Sequence, residues 1–218
     1  MSDPAEFIAR VRRSLGRSAA LTPPPTPPAP NEPLTRLVHT DIGLPALFTA
    51  TAKENKIDIE SLRVEDLADQ LATYLNGRSA KTIALAAVPM FQRLELVDGL
   101  RSAGLDARWW SEMTLDELYE FDCGITDVFA AVAETGSLVV RPTPSSGRGL
   151  SLVPVLHVAI VEPKNLLPDL VDLFDKLQKE GVGSGVSIIT GPSKTSDIEM
   201  NLVTGVHGPH HVKVFLLE

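Results

Sequence analysis

"TIALAAV", residues 82–88, is an apolar run without a charge, glycine or proline. A continuous run of this kind suits a strand buried on both faces, as the strands of a parallel sheet are. Just upstream, "VEDLADQLATYLNG", residues 64–77, repeats Leu67, Leu71 and Leu75 at helical spacing and closes on Asn-Gly. Helix followed by buried strand is the repeating step of an α/β domain.

Outward from this pair the alternation continues. "LELVDGLRSAG" (94–104), "TLDELYEF" (114–121), "LLPDLVDLFDKLQKEG" (166–181) and "SDIEMNLVTG" (196–205) carry helical patterns. "DARWW" (106–110), "SLVVR" (137–141), "VLHVAIV" (155–161), "VSIIT" (186–190) and "VKVFLL" (212–217) carry strand patterns. The expected fold is α/β, with a mostly parallel central sheet flanked by helices. Residues 39–62 have weak periodicity and room for one helix over 44–55.

The chain opens differently. Asp3 and Glu6 frame Pro4 in a capping-box pattern, Phe7, Ile8, Val11 and Leu15 form one apolar stripe, and Gly16 ends it. "LTPPPTPPAPNEP" follows, holding seven of the chain's 17 prolines between Pro23 and Pro33. Proline at that density favours an extended spacer, and a ligand for an adaptor domain is the other reading. The organisation is therefore a helical arm at 1–20 with a stripe to bury, a Pro-rich linker at 21–33, and an α/β domain at 34–218.

Twenty Lys and Arg against 28 Asp and Glu give a formal charge of −8. That balance argues against nucleic acid as a partner, since such binding needs clustered cations. The first residues alternate apolar with charged ones and no run approaches a membrane span, so a cytoplasmic protein is expected. Cys123 is the sole cysteine, and an iron–sulfur cluster normally takes four thiolates. No cofactor of its own is expected in this chain.

Three short motifs carry the candidate chemistry. In "GPSKTSDIE" (191–199), Ser196 and Glu199 have capping-box spacing, so Ser193, Lys194, Thr195, Ser196 and Asp197 are expected around a helix N-terminus. Such a place either binds a small anion or merely starts a helix. In "DCGITDVFAAVAETGSLVV" (122–140), Asp127 reads as the cap of a short apolar helix and "ETGS" as a polar break before a strand. Glu134 there is a candidate general base or nucleophile, with Thr135, Gly136 and Ser137 beside a ligand; a turn-holding carboxylate is the alternative. In "GVHGPHH" (205–211), His207 sits where the backbone can bend and expose its ring, whereas Gly208 and Pro209 break any alignment with His210 and His211, so no metal site is expected. His157, inside an apolar run, reads as a core histidine. "RPTPSSGRGLSLVP" (141–154) reads as a mobile loop, whose Arg141 and Arg148 would either close on an anion or stay solvated.

Taken in order, "GITDVFAAVAETGSLVV", "LVPVLHVAIVEPKNLLPDL" and "ITGPSKTSDIEMNLVTGVHGPHHVKVFLL" resemble the LUD-domain family, in its lactate utilization protein C branch. The resemblance implies a fold similar to the sugar-phosphate isomerase and CoA-transferase superfamily. It implies a non-iron-sulfur component of a three-protein system oxidising L-lactate to pyruvate, whose partners are iron-sulfur proteins that carry the clusters. The matching motif residues are Glu134, Thr135, Gly136, Ser193, Thr195, Asp197, Glu199, His207 and Gly208. Lys194 stands where the family often has arginine, losing the flat fork that grips a carboxylate, and Ser137 where threonine is frequent. A stand-alone CoA-transferase-like or isomerase-like enzyme using Glu134, and a scaffold or regulatory subunit without catalysis, are the competing readings.

Overall fold

The computed structural model describes residues 3–17, 28, 31, 35–38, 43–196, 202–204 and 208–218. The chain divides into two compact units, 1–35 and 36–218. In the first, helix α1 (Pro4–Ser14) begins at Asp3, whose carboxylate accepts from the Ala5 amide at 3.1 Å. Phe7, Ile8, Val11 and Leu15 are all exposed.

The second unit is built on a parallel sheet. In chain order come α2 (Leu44–Glu54), β1 (Asp58–Leu62), α3 (Leu67–Gly77), β2 (Thr82–Leu85), α4 (Pro89–Arg93), α5 (Leu96–Ser102) and β3 (Asp106–Trp109). Then follow α6 (Leu115–Leu118), β4 (Cys123–Asp127), β5 (Ala130–Val132), β6 (Ser137–Val140), α7 (Gly149–Leu152), β7 (Leu156–Val161) and β8 (Leu166–Leu167). The chain continues with α8 (Leu170–Glu180), β9 (Ser187–Ile189), β10 (Lys194–Ser196), β11 (Leu202–Thr204) and β12 (His211–Leu217). Six strands, ordered β1-β12-β7-β4-β2-β3, pair in parallel throughout. The expected α/β fold with a mostly parallel central sheet is the one observed.

Both faces of this sheet are covered, which is why its inner strands β4 and β7 are buried without alternation. Leu67, Leu71 and Leu75 of α3, with Leu96 and Leu100 of α5, pack against Ile83, Leu85, Ile125 and Phe215. Phe48 and Ala52 of α2 cover the other face at Ala159, Val161, Val214 and Leu216, joined by Ala131 and Leu138 from a second sheet. That sheet is ordered β8-β5-β6-β9, with β5, β6 and β9 antiparallel. Its outer face, Ala130, Val132 and Val139, packs on Leu173 and Leu177 of α8.

Three sequence expectations are corrected. Residues 130–132 form strand β5, not a helix capped by Asp127: Ala130 and Val132 face α8 while Ala131 faces the central sheet, the period-two alternation that only a strand provides. Ser196 does not cap a helix over 196–205. It lies in a ladder pairing Lys194 with Thr204, Thr195 with Val203 and Ser196 with Leu202. This pairing gives Ser196 and residues 202–204 extended backbone in place of helical, and the Val-Thr of β11 suits strand better than helix. The loop at 141–154 likewise contains helix α7 and is tied down at several points described below.

Candidate functional site

The antiparallel pairing of β6 with β9 sets the "ETGS" turn, 134–137, beside the segment leading to Ser193. Thr135 Oγ1 lies 2.8 Å from Ser137 Oγ, which lies 2.8 Å from Thr190 Oγ1, a row of three hydroxyls crossing the two strands. Ser137 is buried. Ser193 donates its amide to the Pro209 carbonyl at 3.0 Å, and a Cβ on Gly208 would lie 3.3 Å from the Ser193 Cβ. The first two motifs thus meet along one seam, with Gly208 and Pro209 of the third at its end.

Helix α2 holds this seam in place. Thr51 Oγ1 donates to the Ala133 carbonyl at 2.7 Å, and Asn55 Nδ2 donates to the Thr135 carbonyl at 2.8 Å and to Thr51 at 3.0 Å. Gly136 has φ 61°, and a Cβ there would sit 2.4 Å from the Ala52 nitrogen, so no larger residue lets the turn lie on the helix. Gly191, at φ 99°, presses equally on the Asn55 carbonyl, 2.3 Å from where its Cβ would be. Asn55 therefore touches both turns, a role that its place at a polar helix end did not signal.

Asn55→Ala removes both amide bonds and leaves the Thr135 carbonyl without that donor. A loss of about 1–3 kcal/mol in unfolding free energy is expected, measured by urea denaturation, while Asn55→Asp keeps the shape and loses the same donor.

Glu134 is half-buried; its amide donates to the Pro168 carbonyl at 2.9 Å, and its carboxylate has no hydrogen bond or ion pair among the described residues. No histidine or carboxylate bonds to the three hydroxyls among the described residues, so the row offers hydrogen bonds without an activating base. Asp197 and His207, together with Glu199, lie outside the described residues. For Lys194, Thr195 and Ser196 the backbone is strand, which removes the helix dipole expected beside them.

Two further titratable groups lie inside the core. His157 is wholly buried, its Nε2 is 2.9 Å from Thr126 Oγ1, and burial pushes its pKa down to about 4. Cys123 is buried, and the loss of solvent pushes its thiol far above the usual range. Among the described residues no three His, Cys, Asp or Glu side chains cluster as metal ligands, and no helix is long and apolar enough to cross a membrane.

A second polar group lies at the base of the β5–β6 hairpin, away from the turn. There Asp127, Arg141, Thr143 and Ser146 line a small cavity with Val88 and Phe129. In the sequence Asp127 looks like a helix cap and Ser146 like an ordinary loop residue, because the cavity forms between chain segments far apart in sequence.

A parallel sheet with a second, mixed sheet laid across it, and a glycine turn clamped on α2, defines the class of protein. The LUD domain family model matches residues 48–217, and the chain belongs to that family. Lactate utilization protein C of Exiguobacterium sp. is 30% identical over 225 residues, covering 97% of this chain and 94% of the relative. Lactate utilization protein C of Bacillus subtilis is 28% identical, covering 93% and 91% respectively. A crystal structure of a DUF162 family protein from Deinococcus radiodurans shares the fold, with a TM-score of 0.62 at 17% identity over 83% of this chain and 99% of that one. These relatives support a role in lactate utilization.

Proposed function

We propose that the protein is the non-iron-sulfur component of a cytoplasmic system that oxidises L-lactate to pyruvate, working with iron-sulfur proteins that carry the electrons. The observation that carries this reading is the near full-length match to relatives named lactate utilization protein C. The chain's single, buried cysteine fits the division of labour, since cluster chemistry needs thiolates that it does not have. The exposed apolar stripe of α1 gives a partner chain a place to dock. A small anionic ligand belongs to this role. With residues 194–196 in a strand, no helix dipole assists its binding at Ser193–Ser196.

The test is a drop-out assay: L-lactate-dependent reduction of an artificial electron acceptor by the iron–sulfur partners, with and without this chain. Activity that falls at least about tenfold on omission, the rate equivalent of ~1.4 kcal/mol, is expected. Turnover indifferent to the chain would sink the subunit reading.

A further inference from the structure

The order of the central sheet marks one crevice. From β2 the chain moves outward to β3, returns across β2 to β4, and then proceeds the other way through β7 and β12. The direction reverses between β2 and β4, and in open parallel sheets ligands bind outside the carboxyl ends of the strands at such a reversal. Val88 follows the end of β2 and Asp127 ends β4; both line the same cavity, of about 100 Å³.

The walls of this cavity are fixed in place. The Ala87 amide donates to the Ser145 carbonyl at 2.8 Å, and Thr143 and Ser146 exchange backbone hydrogen bonds at 2.9 and 3.1 Å. Gly147 lies against the Trp110 ring, where a Cβ would be 2.1 Å from Cζ2. Arg141 stacks its guanidinium 4.1 Å from the centre of the Phe129 ring and gives Nη1 to the carbonyls of Glu180 and Gly181 at 3.3 and 3.0 Å. Its Nη2 is 3.7 Å from the Glu180 carboxylate, and Nε makes no hydrogen bond among the described residues.

One atom here lacks what burial demands. Ser146 is 3% exposed and its Oγ has no hydrogen-bond partner among the described residues, a state that costs free energy unless something fills the cavity. Asp127 belongs to the same lining, and burial, with Glu162 nearby, raises its carboxyl above the ordinary carboxylate value. The Ser146 hydroxyl can donate to an oxo or hydroxyl oxygen, and the Asp127 carboxyl can accept from a hydroxyl. The room amounts to roughly three waters, or one short acid.

We propose that this cavity binds a short carboxylate with an oxygen on the adjacent carbon, a 2-hydroxy or 2-oxo acid. Arg141 faces the carboxylate, Ser146 and Asp127 take the 2-oxygen, and Val88 and Phe129 cover the apolar end. The choice of acid rests on the lactate-utilization reading; the site itself rests on the cavity.

Calorimetric titration of the full chain with L-lactate and pyruvate, against propionate and acetate, tests it. The acids with a 2-oxygen should bind at least about tenfold tighter than propionate, the worth of one hydrogen bond that would otherwise leave a buried group unpaired. Ser146→Ala should lose that preference while melting no lower than the wild type, because the hydroxyl it removes has no partner to lose. In the wild type, the binding acid should shift the methyl resonances of Val88 and Val140, both in this lining, and leave Val155, at the other end of the sheet, in place. Equal affinity for all four acids, retained preference in Ser146→Ala, or shifts confined to Val155 would each overturn the site. The drop-out assay reads the other question: a chain required for turnover that binds neither acid keeps its role and loses this site.

Discussion

Gly124→Ala lowers the melting temperature by roughly 6–12 °C, as expected for a loss of about 3 kcal/mol in a domain of this size. Gly124 sits within β4 between β2 and β7, and a Cβ there would stand 1.8 Å from the Leu150 carbonyl oxygen and 2.8 Å from its carbon. Both atoms are backbone of α7, so no rotamer change relieves the clash and the helix has to move. Gly77→Ala is the control, since nothing lies within 4 Å of its added methyl. Thermal melts of the two variants should differ by most of that range. A Gly124→Ala chain melting with the wild type would show that α7 does not press on the strand.

Acidification from pH 7 to pH 4.5 costs the protein roughly 2 kcal/mol through His157 alone. In the unfolded chain this ring takes its proton near its ordinary value of 6.5, whereas burial holds the folded ring down to about 4. Between those values the unfolded state binds more protons, so stability present above pH 6.5 is lost as pH falls toward 4. A second proton would also leave a buried N–H at Nδ1, which has no partner among the described residues. Asp127, pushed up by burial, has the opposite sign: it favours the folded state at low pH and less so as pH rises through its folded value. Urea unfolding of wild type and His157→Gln at the two pH values separates them, because Asp127 acts in both chains. A similar acid loss in the variant would remove His157 as the cause.

The sequence was most legible where one element faces one neighbour. Leu67, Leu71 and Leu75 announce α3, and the unbroken apolar run of β7 announces a strand covered on both sides. Strand β1 was hidden because Asp58 and Glu60 interrupt it; both pair with Lys213 of the neighbouring strand, at 3.1 and 3.0 Å, and that lysine is buried by contacts no local window contains. Strand β5 was misread because alanine-rich residues favour helix, until two packed layers override the preference. At the site, the glycine turns were visible as motifs, while their clamp, Asn55, was not. The same holds for Asp127 and Ser146, which become neighbours only once β4 and the loop after β6 meet.

The burial of Cys123 has a practical consequence for watching this protein at work. As the sole cysteine, with its sulfur inside the sheet and its thiol held protonated, it is silent to alkylating reagents while the fold is intact. A fluorophore or spin label can therefore be attached at any exposed position by one substitution, such as Arg13→Cys on α1 or Glu120→Cys after α6, without first deleting the native residue. Native β4 packing is left untouched, and the label reports directly on whichever surface a partner covers.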